Sequence, residues 1–230
     1  MKKIIVLMLV LALCVTAITS CGKKNNPKKI LQEVTEMYDN SAPTKVVATT
    51  KQVFSAYELN CKYELTTGQV GGATASVYKV TKEELETIEN AGGSDIVRPM
   101  IKTTTKVTEA IEGIGSRVDG SAWSAEGTVY TIGRGAMALT LDKETVTDVV
   151  YENSVLTFTI PNANIATVLG EAYATGVDGD ISVTIVNDGS VITSIELRYT
   201  VPADTKAGLE ASQMIVYVEY QYDIQQITIV

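Results

Sequence analysis

The sequence predicts an α+β protein in which a large antiparallel β-sheet is accompanied by a few helices. Apolar residues recur at helical spacing near the start of the chain, over residues 27–40. Beyond Pro43 the dominant period is two, and turn-forming segments such as Asn187-Asp188-Gly189-Ser190 separate the alternating stretches. Each stretch has an apolar and a polar side, so one face of the sheet is expected to meet the core and the other to meet water.

The first element is predicted to be an amphipathic helix over residues 27–40. Asn26 suits the N-cap position, and Pro27 suits the first turn. The apolar stripe of this helix consists of Ile30, Leu31, Val34, Met37 and Tyr38. Shorter helices are predicted at residues 82–90, 107–114 and 165–170, the last capped by Asn162 or Asn164.

The other elements are predicted to be strands. A single long strand is expected over residues 53–65, with Cys61 on its apolar side as a buried, inert small hydrophobe rather than a reactive thiol. A turn is expected at residues 68–72. Further strands are expected at residues 73–80, 137–141, 145–151, 155–160, 181–186, 191–201 and 214–224, with a bulge before Ile227.

The N-terminus has the pattern of a secretory signal peptide. Lys2 and Lys3 precede an uncharged apolar run over residues 4–15. As a helix, residues 4–18 would span roughly 22 Å, which is shorter than the ~30 Å hydrocarbon core of a bilayer. The pattern therefore favours a cleaved signal over a permanent membrane anchor.

The end of this run, Ile18-Thr19-Ser20-Cys21, resembles the lipobox of bacterial lipoproteins. The resemblance implies cleavage between Ser20 and Cys21, a diacylglyceryl thioether on Cys21, and, in many lineages, a further acyl chain such as palmitate on the new amino group. Two or three acyl chains anchor a protein stably, whereas one does not. The alternatives are an ordinary secretory signal with an incidental Cys21, or a short hydrophobic anchor.

The chain is accordingly expected to consist of a signal peptide (1–20), a lipidated N-terminus with a short tether (21–27) and a single β-rich extracytoplasmic domain (28–230). The lipid would hold this domain at a bacterial membrane, on the outer face of the cell membrane or at an outer membrane. Gly22, which follows the lipid cysteine, does not decide between a single-membrane and a double-membrane host.

Charge and composition exclude several classes of function. Of the 19 basic residues, Lys2 and Lys3 lie in the signal segment, which leaves 17 against 27 acidic residues. This acidic balance argues against a nucleic-acid partner. Histidine is absent, so a Ser-His-Asp or Cys-His constellation and a histidine metal ligand are excluded. After loss of Cys14 and lipidation of Cys21, Cys61 has no cysteine partner for an intramolecular disulfide. No cofactor or metal is expected.

The order of elements resembles the LolA/LppX-type lipoprotein-carrier superfamily. An anchored Cys21 and a first helix are followed by long antiparallel strands, and residues 188–190, 195–199 and 216–220 are similar to the final strands of that group. The resemblance implies a curled, half-barrel-like sheet that wraps over helices on one face and holds acyl chains in an apolar cavity. It implies no catalytic residue in this chain.

Apolar strand faces supply the candidate ligand contacts. The residues are Tyr57, Leu59, Tyr63, Tyr199, Tyr220 and Tyr222. The alternative is that these faces simply pack against the first helix. Two motifs are discounted: Ser76-Val77-Tyr78-Lys79 places Ser and Lys on opposite faces of a strand, and Asp178-Gly179-Asp180 is more typical of a turn than of a calcium loop.

These observations predict a non-catalytic, membrane-anchored extracytoplasmic lipoprotein that binds or carries a lipid or another apolar ligand. The alternative is an envelope interaction or scaffold lipoprotein, with a filled core and a surface for envelope proteins. In either case the membrane is reached through lipid on Cys21.

The anchor can be tested by a Cys21→Ser substitution. Serine has no thiol to form the thioether, so we expect lipoprotein processing to stop and the mature chain to be lost from the membrane fraction. Signal cleavage, followed by gel mobility, and detergent phase partitioning measure this. If the Cys21→Ser protein is processed and partitions as the parent does, Cys21 does not carry a lipid anchor.

Overall fold

A computed structural model describes residues 26–88, 98–127, 129, 139–205, 209–223, 227 and 229. The predicted signal peptide, Ser20, Cys21 and the expected bulge before Ile227 lie outside the described residues.

One antiparallel sheet of ten strands dominates the structure, in the order β5-β4-β3-β2-β1-β10-β9-β8-β7-β6. The strands are β1 (Lys45–Val53), β2 (Glu58–Val70), β3 (Ala73–Ile88), β4 (Arg98–Ile111), β5 (Gly115–Val118), β6 (Thr147–Glu152), β7 (Val155–Ile160), β8 (Asp178–Asn187), β9 (Ile192–Val201) and β10 (Ser212–Gln221). The prediction of a large antiparallel sheet is confirmed. The sheet is open, with β5 at one edge and β6 at the other, and every pairing except β1–β10 joins strands that are consecutive in the chain.

The helices are few, as predicted. They are α1 (Pro27–Asn40), a 3₁₀ turn (Asn162–Asn164), α2 (Ile165–Leu169) and α3 (Glu171–Ala174). At the start of α1, the Asn26 side chain accepts a hydrogen bond from the Lys28 N–H at 3.1 Å, and Pro27 occupies the first turn. Among the described residues, no helix has the length and apolar character needed to cross a lipid bilayer.

The hydrophobic core lies on one face of strands β6–β10. Burial alternates along β7 and β8, because every second side chain points to this face. The large side chains of the three central strands that are fully buried are Leu156, Ile160, Ile181, Ile185, Ile192, Ile195 and Leu197. The apolar stripe of α1 and the apolar residues of α2 cover these side chains, and Leu139 and Leu141 belong to the same buried cluster. The helices therefore pack on one face of the sheet.

Strands β2–β5, which we call the wing, are not covered by any of the described helices along most of their length. Side chains on both faces of β2 are half-buried or exposed. At the outer edge, Gly115 has a φ of +120° and lies directly against the Ser124 carbonyl, where a Cβ would collide. Ser116 and Ser124 exchange two backbone hydrogen bonds of 2.9 and 2.8 Å there, so the segment after β5 folds back over the edge strand.

The single long strand expected over residues 53–65 is wrong. β1 ends at Val53, and a tight turn in which the Phe54 N–H donates to the Tyr57 carbonyl at 2.9 Å leads into β2. Phe54 is buried and stacks on the Tyr57 ring, with centroids 4.6 Å apart. In the sequence, Val53 and Tyr57 stay in step with Leu59 and Cys61 at a period of two, so the alternation continues through the turn and conceals it.

The helices predicted at residues 82–90 and 107–114 are also wrong, because β3 extends to Ile88 and β4 to Ile111. Lys- and Glu-rich segments have helical propensity, but cross-strand pairing overrides it here. Glu84 lies opposite Lys102, and the hydroxyls of Thr81 and Thr105 are 3.1 Å apart. Residues 89–90 of the first segment lie outside the described residues.

The C-terminal strands follow their predictions closely. β7 has the predicted bounds, and the turn at residues 187–190 joins β8 to β9 as expected. The Asp188 carboxylate accepts hydrogen bonds from the Val191 and Ser190 N–H groups, both at 2.9 Å, which lowers the pKa of Asp188. Two details differ. Leu139 and Leu141 are buried outside any strand, and residues 178–180 begin β8, where Asp180 accepts from the Asn162 N–H at 2.9 Å.

The core position of Leu197 yields a stability prediction. Leu197 is fully buried in the middle of β9, so Leu197→Ala leaves a cavity and should lower the free energy of unfolding by about 2–5 kcal/mol. As a control, Ile101→Ala on the wing should change it by no more than about 0.5 kcal/mol, since Ile101 is 45% exposed. Urea denaturation followed by circular dichroism measures both, and equal effects would contradict this placement of the core.

Candidate functional site

The register of the sheet shows which side chains share a face, because residues directly opposite each other in an antiparallel sheet point the same way. One row runs from Tyr78 of β3 through Leu65 and Val46 to Tyr220 of β10. The next row runs from Val80 through Tyr63 and Ala48 to Val218 of the core. The core face thus continues without a break across β1 onto β2 and β3.

We call this continuation the apolar platform. It consists of the side chains of Val46, Ala48, Leu59, Cys61, Tyr63, Leu65, Tyr78 and Val80, all of which are half-buried. Val46 and Ala48 mark its inner margin, because they pack against the core. Its remaining members lie on β2 and β3, beyond the helices that cover β6–β10.

Helix α1 borders the platform. Tyr38, near the end of α1, meets Tyr220 edge to face, with ring centroids 6.4 Å apart and planes at 82°. Burial raises the pKa of Tyr220, and burial likewise raises that of Tyr38. The contact between the two rings marks the boundary between the covered half of the sheet and the platform.

At the centre of the platform, Tyr63 and Tyr78 lie side by side. Their ring centroids are 6.5 Å apart and their planes differ by 16°. Hydrogen bonding to the Cys61 side chain, followed by partial burial, raises the pKa of Tyr63 to about 12. Cys61 is a free thiol and only half-buried, so its predicted position on the apolar side is confirmed, whereas its predicted burial is not.

The six residues predicted as ligand contacts are distributed over three places. Leu59 and Tyr63 lie on the platform, while Tyr199 and Tyr220 are packed at the edge of the core. Tyr57 stacks on Phe54 in the β1–β2 turn, and the Tyr222 hydroxyl donates to the Ile192 carbonyl at 2.7 Å. Their role as ligand contacts stays a prediction.

Several platform residues were missed as candidates. Tyr78 and Val80 alternate in step along β3, a signal already present in the sequence, but only the register of β3 on β2 brings them beside Leu65 and Tyr63. Val46 and Ala48 belong to β1, which was not predicted, because the predicted strand began only at Val53.

Two clefts beside α1 have a different character. One, of about 450 Å³, is lined by Glu33, Glu36, Met37, Asn40, Gly189 and Ser190. The other, of about 220 Å³, is lined by Lys28, Gln32, Thr35, Glu36, Leu141, Asp142 and Lys143. Most of the lining residues carry a polar or charged group, which an acyl chain would have to desolvate on entering either cleft.

The contact between Tyr63 and Cys61 gives a titration prediction. The neutral phenol is favoured in the folded protein, so Tyr63 should ionise near pH 12 instead of the ordinary 10. The raised pKa of Tyr63 stabilises the folded state. This stabilisation is fully present below pH 10 and is lost as the pH rises to 12. We expect Cys61→Ala to lower the pKa of Tyr63 toward the ordinary value of 10.

Absorbance of tyrosinate near 295 nm measures this titration, and subtraction of the curve for Tyr63→Phe isolates Tyr63 from the other tyrosines. Tyr63→Phe is itself the matched control, because it retains the ring and removes only the hydroxyl. A Tyr63 transition that does not change in the Cys61→Ala protein would contradict the assigned cause.

Comparison with known protein families and with curated proteins found no match. Among solved structures, the chain is similar to the crystal structure of LprF from Mycobacterium bovis, with 13% sequence identity and a TM-score of 0.36. The alignment covers 88% of this chain and 96% of that chain. A likeness of this degree does not identify a ligand or a partner.

Proposed function

We propose that this protein is a membrane-anchored extracytoplasmic lipoprotein that carries a lipid or another apolar ligand on the apolar platform and catalyses no reaction. One observation carries the proposal: the core face of the sheet continues onto β1–β3, where its tyrosine and aliphatic side chains are left half-exposed. A contiguous exposed apolar surface marks an interaction site more often than a solvated face.

The energy available on the platform suits a carrier. A chain that lies on a surface is buried from one side only and gains roughly half of the ~0.8 kcal/mol per fully buried methylene. For a palmitoyl chain the gain is roughly 5–6 kcal/mol, and because association itself costs entropy, the dissociation constant should be no tighter than the order of 0.1 mM. Such binding is reversible, as the handing-over of a lipid requires.

The lipobox-like segment supports the location. Asn26, where the described structure begins, follows Cys21 by five residues. Five extended residues reach at most about 18 Å, so an acylated Cys21 would keep the start of α1 close to the bilayer surface. A carrier needs this closeness because its cargo is sparingly soluble in water.

A scaffold role in the envelope is the second candidate, and the filled core favours it. The space between α1, α2 and strands β6–β10 is occupied by buried side chains, and the clefts beside α1 are polar. On this alternative, the platform would contact an envelope protein and take up no lipid.

Matched substitutions on the two faces of the wing distinguish these functions. Leu65→Gln places an amide on the platform, whereas Val77→Gln places one at a half-buried position on the opposite face of the neighbouring strand. We expect Leu65→Gln to lower the occupancy of a lauroyl lysolipid about tenfold, since one apolar contact of about 1.4 kcal/mol is lost, and Val77→Gln to change it less than twofold.

Native mass spectrometry of the chain from residue 21 onward, incubated with the lysolipid, gives the occupancy. Thermal unfolding of both variants controls for loss of the fold. If the parent protein takes up no lipid at any concentration at which the lipid stays monomeric, the carrier function is wrong and the scaffold role remains.

A further inference from the structure

Three lysines lie beside the platform on the same face of the sheet. Lys82 of β3 is directly opposite Thr104, and Lys102 and Lys106 are two residues to either side of Thr104 on β4. Diagonal neighbours of this kind are about 7–8 Å apart in an antiparallel sheet. All three side chains are exposed, in a chain with a net charge of −8.

The lysines adjoin the apolar side chains directly. In the cross-strand register, Lys82 is opposite Cys61, and Lys106 is opposite Val80. Glu84 lies opposite Lys102 on the same face and offsets part of its charge. Lys82 and Lys106 form no ion pair with any carboxylate that the structure describes, so they account for the positive charge at this border.

The opposite face of the same strands differs. There, Lys62 and Lys79 approach the Glu64 carboxylate to 3.2 and 4.0 Å, and Lys51 pairs with Glu58 at 2.6 Å. Basic and acidic groups are thus interleaved on that face. Among the described residues of the wing, positive charge without a carboxylate partner lies beside apolar surface only on the platform side, at Lys82 and Lys106.

We propose that the ligand of the platform is an anionic amphiphile, with its acyl chain on the apolar rows and a phosphate or carboxylate headgroup between Lys82 and Lys106. This inference rests on the proposed carrier function and adds the class of ligand. Lys102 borders the same headgroup position from the other side. Flexible lysine side chains suit a headgroup that binds as a point charge and leaves again.

The shape of the site favours a single molecule over a bilayer surface. Helix α1, about 10 Å in diameter, stands on the same face of the sheet and reaches Tyr220 at the inner end of a platform row. A flat membrane would meet α1 before it reached the platform. One amphiphile can lie in the recess beside the helix.

The test uses the chain from residue 21 to residue 230 with Cys21→Ser, which contains every described element and brings no acyl chain of its own. It is incubated with an equimolar mixture of lauroyl-lysophosphatidylglycerol, which is anionic, and lauroyl-lysophosphatidylcholine, which is net neutral. Native mass spectrometry gives the ratio of the two bound lipids. We expect at least fivefold enrichment of the anionic lipid, the effect of about one lysine near a charged headgroup.

Two double variants show which lysines cause the enrichment of the anionic lipid. Lys82→Gln/Lys106→Gln should abolish the enrichment and leave binding of the neutral lipid unchanged. Lys62→Gln/Lys79→Gln removes the same charge from the opposite face and should retain the enrichment. Raising the salt concentration should weaken only the anionic lipid, because exposed charges are screened.

Each other result has a definite meaning. Equal binding of the two lipids overturns the headgroup site and leaves the carrier function intact, whereas no binding of either lipid overturns the carrier function itself. Enrichment that survives Lys82→Gln/Lys106→Gln, or disappears equally in Lys62→Gln/Lys79→Gln, also overturns the site. Inorganic phosphate that displaces the anionic lipid at equal concentration would show a free-phosphate site without a role for the platform.

Discussion

The pairing of β1 with β10 holds the two halves of the sheet together, and the position of the platform depends on it. Lys45 lies opposite Gln221 and Val53 opposite Gln213, so the contact runs along the whole of β1. All other strand pairs are formed by neighbours in the chain. Without this non-local contact, the wing and the core half would be two separate meanders. Isolated strands exposed on both faces are marginal in water, so the wing depends on the core for its order.

The uneven cover of the sheet follows from the small amount of helix in the described part of the chain. One long helix and two short ones cover β6–β10, where the buried residues are almost all large and aliphatic. The rows Tyr78–Tyr220 and Val80–Val218 continue the same pattern outward, but tyrosine, valine and alanine replace most of the isoleucine and leucine there. Tyrosine tolerates partial exposure because its hydroxyl meets water while its ring remains apolar. The composition of the platform is therefore that of a surface stable in water and still able to accept an apolar group.

The sequence was a good guide wherever local and tertiary preferences agreed. Asn26 and Pro27 started α1 as predicted, and the turn at residues 187–190 formed because Asp188 satisfies backbone N–H groups there. The sequence was misleading where strand pairing decided the secondary structure. The charged segment after Lys82 has helical composition, yet it lies against a threonine-rich partner strand that no local pattern reveals.

Some residues of the candidate site could likewise be predicted from local sequence, and others could not. Leu59 and Tyr63 were accessible from alternation alone, because a residue's face depends only on its own strand. Tyr78, Val80 and the neighbouring lysines required the register of three strands, a non-local quantity. Tyr199 and Tyr220 have the same sequence pattern as Tyr63 but pack at the core, since the helices happen to cover their half of the sheet. Alternation reveals which face a side chain occupies, and only the tertiary structure reveals what lies over that face.

The direction of α1 links the anchor to the ligand. The first half of α1 lies near residues 141–143, which lead into the start of β6, and its last turn lies near the β8–β9 turn at Gly189. Strand β6 starts at the same end of the antiparallel sheet as β4, the end toward which β3 runs beyond Lys82. An acylated Cys21 would thus put the bilayer on the side of the lysines, with Tyr78 and Tyr220 farther away. An amphiphile bound as proposed would keep its charged headgroup toward the membrane surface and its acyl chain along the sheet. Only the acyl chain would then have to leave the bilayer, and the platform would replace part of the apolar contact that the acyl chain loses.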